Sequence, residues 1–248
     1  MVCGNEKNME MMNLQEILGL PILLDKQKLD LIFDGDFAPM KKFERELNEL
    51  NPFLRDSDSQ SGPDPVYYVW RDIYLKSDKE KMKNSGLRLD LTLMPPGKIG
   101  NEFVKTAGHY HLQYPEMYFI LCGRAHILTQ LYKKNPKIIE IVHLTEASAG
   151  EQVFIPRRFG HNTINVFGES LVFATLADEK LEDDYESYKN NRGASYYFLT
   201  KNGQVDTVKN PNYDSIPELK KTPAEKASAG AWRNWNTRTL QERMDESH

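Results

Sequence analysis

The chain of 248 residues reads as an all-β fold, closed into a barrel or packed as a sandwich, with less regular segments at both ends. Three observations predict it. Short runs rich in β-branched and aromatic residues follow one another from Val66 to Thr200, with few helical patterns between them. Leu87, Leu89, Leu91 and Leu93 alternate with Arg88, Asp90 and Thr92, a period of two that gives a strand with one buried face. Asn202-Gly203, set between Tyr197 to Thr200 and Gln204 to Thr207, is a tight-hairpin signal.

Taken in order, residues 1–35 have a polar, Met-rich start and read as an N-terminal extension of helical or irregular character. From Pro39 to Leu50 the apolar positions Met40, Phe43, Leu47 and Leu50 recur at spacings of three and four, which predicts an amphipathic helix. Asp56 to Asp64 is rich in Ser, Asp, Gly and Pro and reads as a loop. Strands are expected at 66–75, 87–93, 117–122, 125–132, 137–144, 152–155, 162–167, 170–176 and 195–200, with Pro95-Pro96-Gly97, Gly123, Asn135-Pro136 and Gly168 as breaks. One domain over residues 36–215 accounts for them. The tail, 216–248, is polar and Ala-rich, with Trp232 and Trp235 as its main apolar features; it reads either as a short helix laid on the barrel or a partner subunit, or as disorder.

A formal net charge of −4 does not suit a nucleic-acid or anionic-membrane surface. The apolar run Leu18 to Leu24 is interrupted by Gly19 and Pro21 and falls far short of the ~20 residues a bilayer needs. Glu6 and Glu10 stand where a signal peptide would be basic and then apolar. With two cysteines, Cys3 and Cys122, the second inside an apolar run, no disulfide is expected and a reducing cytoplasm fits.

The chemistry concentrates between Thr106 and Glu116. His109-x-His111 on a strand puts both imidazoles on one face, and Glu116 opens the next apolar strand. Two imidazoles and a carboxylate suit a borderline divalent ion such as Fe, Mn, Zn or Ni.

These residues resemble the cupins. The first cupin motif, His-x-His, three or four residues, Glu, six residues, Gly, is matched by His109, His111, Glu116 and Gly123. The second, Gly, five residues, Pro, four residues, His, three residues, Asn, is matched by Gly150, Pro156, His161 and Asn165, with Arg158 where a Gly is usual. The resemblance implies a cupin fold, a double-stranded β-helix or jelly-roll barrel. Within it, Thr106, Gly108, His109, His111, Glu116, Tyr118, Gly123 and Gln130 are similar to the signature of the cupin-type glucose-6-phosphate isomerases, and Thr92 to Lys98, Asn202 to Val205 and Asn210-Pro211 extend the likeness. The gap from His111 to Glu116 is two residues shorter than in archaeal members of that family.

By this resemblance His109, His111, Glu116 and His161 hold one divalent metal ion per subunit, iron being the expected one. Glu116, Tyr118 and His161 are the expected catalytic residues, and Thr92, Thr106, Gly108 and Tyr185 the expected binders of a sugar phosphate. The implied reaction interconverts glucose-6-phosphate and fructose-6-phosphate in glycolysis and gluconeogenesis, in a homodimer. An aromatic expected sixteen residues beyond the second-motif His is replaced by Ala177. Three rival readings keep the barrel but assign it other chemistry, as a mannose-6-phosphate isomerase, an Fe(II) dioxygenase, or a non-catalytic sugar-binding cupin. His126, His143, Arg157, Arg158, Trp232 and Trp235 read as surface, turn or packing residues rather than as parts of a site.

Overall fold

The computed structural model describes residues 11–245; Cys3, Glu6 and Glu10 lie outside them. Near the start β1 (Met11–Asn13), β2 (Ile22–Asp25) and β3 (Asp30–Phe33) form a small antiparallel sheet. There follow β4 (Lys41–Arg45), β5 (Tyr67–Arg71), β6 (Leu87–Met94) and three two-residue strands, β7 (Lys98–Ile99), β8 (Glu102–Phe103) and β9 (His109–Tyr110). The central run is β10 (Glu116–Cys122), β11 (Arg124–Leu131), β12 (Ile141–Ser148), β13 (Glu151–Ile155), β14 (Gly160–Ile164) and β15 (Leu171–Asp178). β16 (Tyr196–Lys201) and β17 (Gln204–Lys209) form the hairpin expected at Asn202-Gly203, and β18 (Lys220–Thr222) and β19 (Glu225–Lys226) lie in the tail.

Two sheets face each other. One has the order β19-β13-β10-β15-β6-β5-β4, the other β18-β12-β11-β14-β9. Between them Ile120, Ile155 and Phe173 of the first meet Ile127, Val142 and Ile164 of the second in one buried cluster. Facing, mostly antiparallel sheets around a single core are the cupin barrel. Each sheet gains an edge strand from the tail, β18 beside β12 and β19 beside β13, which pairs edges that would otherwise lie open.

The central strands of the larger sheet, β10, β15 and β6, are buried on both faces. In β6 the leucines do not point into the barrel: Leu87, Leu89, Leu91 and Leu93 face outward, into a second cluster with Leu18, Leu20, Ile22 and Leu24 of the N-terminal segment and Trp232 of the tail. The polar alternates Arg88, Asp90 and Thr92 therefore face inward, where they line a cavity. Trp232 is 3% exposed and its indole Nε1 donates to the carbonyl of Leu18 at 2.8 Å, so its role is packing.

Three expectations need correction. Among the described residues of the N-terminal extension, strand outweighs helix. Its helix is a single turn, Gln15–Leu18, stopped by Gly19 at φ 64° and followed by Pro21, after which Ile22 and Leu24 alternate as a half-buried strand does. The amphipathic helix over Pro39 to Leu50 is strand β4 and then one helical turn, Leu47–Leu50. Pairing of Lys41 to Arg45 with Arg71 to Tyr67 decides the first half, and it leaves Phe43 exposed with the Arg71 guanidinium 5.5 Å from its ring. The strand expected at 137–144 is displaced to Ile141–Ser148, because Ile139 instead gives its amide to the carbonyl of Ser215.

Candidate metal centre

The strand pairing assembles the cluster. β9 runs antiparallel to β14 with His109 opposite His161, so these two side chains leave the same face, and His111 follows two residues on. Glu116 comes from β10 in the other sheet. One donor atom from each of His109, His111, Glu116 and His161 lies within 4.8 Å of all the others, a group that could hold a metal ion. Arg158 keeps the neighbouring turn tight without glycine. It adopts φ 70° and its amide donates to the carbonyl of His111 at 2.5 Å, at a strain of about 1–2 kcal/mol.

The donors fit an ion better than they fit one another. His111 Nδ1, both ring nitrogens of His161 and Glu116 Oε2 are buried with no hydrogen-bond partner. Buried polar atoms are nearly always partnered, and an ion shared by His161 Nε2 and Glu116 Oε2, 3.3 Å apart, would satisfy both. Burial, aided by the adjacent imidazoles, lowers His109 to about 3. Burial also lowers His161. Both are neutral at pH 7, as metal ligands must be. Burial alone would raise Glu116, but the surrounding imidazoles outweigh it and hold the carboxyl down at about 2.

The cluster opens into a cavity lined by Thr92, Thr106, Tyr118, Asp183 and Tyr185, together with Arg45, Tyr67 and Arg71. Tyr118 stacks on Phe173 at 5.2 Å and meets His161 edge-on at 5.6 Å. Burial raises its hydroxyl well above the ordinary value, so it stays a donor. Tyr185 lies edge-on to His109 at 5.2 Å, and Thr106 Oγ1 accepts from the amide of Thr163 at 2.9 Å. Gly108 sits at φ 78° with the ring of fully buried Tyr188 where a side chain would be. Every expected site residue thus lies at the cluster, at the cavity or, for Gly108, directly before His109.

Gln130, part of the family-like signature, is elsewhere. Its Nε2 donates to the hydroxyls of Tyr110 and Tyr213 and its Oε1 accepts from the Ser195 amide, a fully buried set that holds β11 to the loops around it. His126 packs against Phe167 and Phe198, and His143 against Phe159, away from the cluster.

Sequence reading missed Arg45, Tyr67, Arg71 and Asp183. Arg45 Nε donates to Tyr67 Oη at 3.2 Å, and the guanidinium brings a positive charge to the end of the cavity that holds Tyr185 and Thr106. Arg45 was hidden inside a segment read as helix. Asp183 was dissolved in a charged loop; its spacing of two from Tyr185 was the available signal.

The family model described as glucose-6-phosphate isomerase (GPI) matches residues 37–216. The glucose-6-phosphate isomerase of Thermococcus onnurineus is 29% identical over 191 residues, covering 75% of this chain and 94% of that one. That of Thermococcus litoralis is 30% identical over 186 residues, covering 72% and 91%. Among solved structures the overlap is looser: the formate complex of Lactobacillus farciminis oxalate decarboxylase is 18% identical at a TM-score of 0.37, over 51% of this chain and 33% of that one.

Proposed function

The chain belongs to the glucose-6-phosphate isomerase family, and on that premise we propose that it interconverts glucose-6-phosphate and fructose-6-phosphate with a divalent metal ion, iron by expectation, held by His109, His111, Glu116 and His161. The observation that carries this is the convergence of one possible ligand atom from each of those four side chains within 4.8 Å, with His161 Nε2 and Glu116 Oε2 buried and unpartnered, beside a cavity that Arg45 and Arg71 also line. The ion would act as a Lewis acid on the sugar's carbonyl oxygen, lowering the barrier to moving hydrogen between C1 and C2.

This chain's side chains supply the rest. Thr92, Thr106 and Tyr185 offer hydroxyls to the phosphate, with the amide of Gly108, and Arg45 opposes its charge. Tyr118, held protonated, donates to a sugar oxygen. Glu116, ionised at neutral pH, is the carboxylate that takes the proton from one carbon and returns it to the other. Its low basicity is the weak point of that role, and a hydride shift between the two carbons needs no such base. His161 Nε2 lies 3.3 Å from Glu116 Oε2, a separation that suits two ligands of one ion. The same reading makes the protein a cytoplasmic homodimer acting in glycolysis and gluconeogenesis. Among the described residues no helix is long and apolar enough to cross a membrane.

The test is a coupled assay of fructose-6-phosphate conversion before and after chelation, with metal analysis of the same sample. Activity should vanish with the metal and return with Fe(II) or Mn(II). Full activity in metal-free protein would end the reading, and turnover of mannose-6-phosphate alone would move it to another isomerase.

A further inference from the structure

A second carboxylate reaches the imidazoles from the loop after β15. Asp184 and Tyr110 exchange backbone hydrogen bonds, Tyr110 N to Asp184 O at 2.9 Å and Asp184 N to Tyr110 O at 3.0 Å. Residues flanking such an antiparallel pair face each other, so His111 stands opposite Asp183 and His109 opposite Tyr185, with all four side chains on one face. Asp183 Oδ1 lies 3.2 Å from His111 Nε2 and 3.5 Å from His109 Nε2. Its other oxygen is held from behind: Tyr185 Oη donates to Oδ2 at 3.0 Å, and an Arg71 guanidinium nitrogen is 3.7 Å from it.

We propose that Asp183 is a fifth, displaceable ligand of the ion bound by His109, His111, Glu116 and His161, an inference that rests on the metal reading of the site. Donors bound at ~2.1 Å to one first-row ion stand about 3 Å from their neighbours on it. Asp183 Oδ1 keeps that separation from two imidazole nitrogens at once. A second carboxylate also brings the charge of a divalent ion and its ligands to zero, which favours the ion in a buried site.

The ligand must yield, because Asp183 also lines the cavity through which a sugar would reach the ion. Its support is suited to that. A tyrosine hydroxyl has one proton, now given to Asp183; given to a phosphate oxygen instead, it leaves the carboxylate with Arg71 alone. Filling the phosphate end of the cavity thus loosens the ligand at the metal end. A sugar without its phosphate meets a closed coordination sphere.

The full-length protein is loaded with Co(II) or Mn(II) alone, and affinity is measured by chelator competition for wild type, Asp183→Asn and Asp183→Ala. Affinity by itself does not separate a ligand from an outer hydrogen bond, since removing either weakens binding by ~10-fold or more. The Co(II) visible spectrum does: loss of a ligand raises the band intensity, and loss of an outer contact does not. Asp183→Ala should weaken metal binding at least ~10-fold and intensify the Co(II) bands. Inorganic phosphate added to wild type should move its spectrum toward that of Asp183→Ala. Wild-type affinity and spectrum in both variants would overturn the proposal, and an unmoved wild-type spectrum with phosphate would overturn displacement. If Asp183→Ala does not fold, the near-isosteric Asp183→Asn carries the comparison. A wild-type chain that binds neither ion would instead bring down the metal reading itself.

Discussion

Replacing Gly108 by alanine separates two demands the structure makes at one position. The residue sits at φ 78°, where a side chain strains the backbone by about 1–2 kcal/mol. An added Cβ would also lie 2.5 Å from Tyr188 Cε1, 2.6 Å from Cδ1 and 3.1 Å from the Asn162 Cβ. Tyr188 is 0% exposed and has the Tyr110 ring at 5.5 Å, so it has nowhere to retreat, and overpacking of this kind costs a further 1–3 kcal/mol or so. The sum is roughly 2–5 kcal/mol, against about 5–15 for a whole domain. Gly203 supplies the control, with φ 77° and nothing within 4 Å, so Gly203→Ala bears the strain without the clash. At ~2–4 °C per kcal/mol for a chain of this size, Gly108→Ala should melt about 5–15 °C below wild type and Gly203→Ala only a few degrees below. Both are read by thermal denaturation of chelator-treated protein, so that bound metal does not mask the difference. Because His109 follows directly, Gly108→Ala should also bind metal less tightly. Equal melting temperatures for the two variants would refute the close contact with Tyr188.

Tyr185→Phe should lower kcat/KM by about ten- to hundred-fold, the loss of one hydrogen bond to a charged group at roughly 1.5–3 kcal/mol; an unchanged enzyme would remove Tyr185 from the phosphate site. Glu116→Gln should retain some metal and lose most turnover, and wild type run in heavy water should place deuterium at C1 or C2 of the product. Substantial activity in Glu116→Gln, together with unlabelled product, would favour hydride transfer. The metal-free protein should lose stability as pH falls. His109, at about 3 when folded against 6.5, and His161, also lowered, are protonated first in the unfolded chain, so stability present above ~6.5 erodes toward pH 3. Glu116, at about 2 against 4.5, contributes stability present above 4.5 and lost as pH falls through 2. A melting-temperature maximum near pH 5 would contradict the histidine direction, and a melting temperature that rises as pH falls below 4.5 would contradict that of Glu116.

The cluster that could hold a metal ion was legible because its spacing is local. His109 and His111 need only the alternation of a strand, and the second motif fixes His161 against them through one strand pair. Asp183 and Arg45 were not, since their places depend on pairings between distant segments: Tyr110 with Asp184, and β4 with β5. The leucine alternation of β6 identified a strand but not which face met the barrel. Its outward direction depends on the N-terminal segment and Trp232 lying across it. In Met40 to Leu50, three- and four-residue spacing is also compatible with a strand joined to a helical turn, and only the partner strand chooses between them.

The contact between Trp232 and Leu18 joins residues 214 apart in sequence, and this orders events during translation. Chains emerge at ~5–20 residues per second from the N-terminus. The N-terminal sheet and the β6 leucines are made early, yet the indole that closes over them is made only after the whole barrel. For some tens of seconds at the slower rates, a nascent chain carries that apolar surface without its cover. A ribosome stalled anywhere between β17 and Trp232 would therefore hold a barrel complete in its His109, His111, Glu116 and His161 cluster and open on its outer side, a natural client for a chaperone.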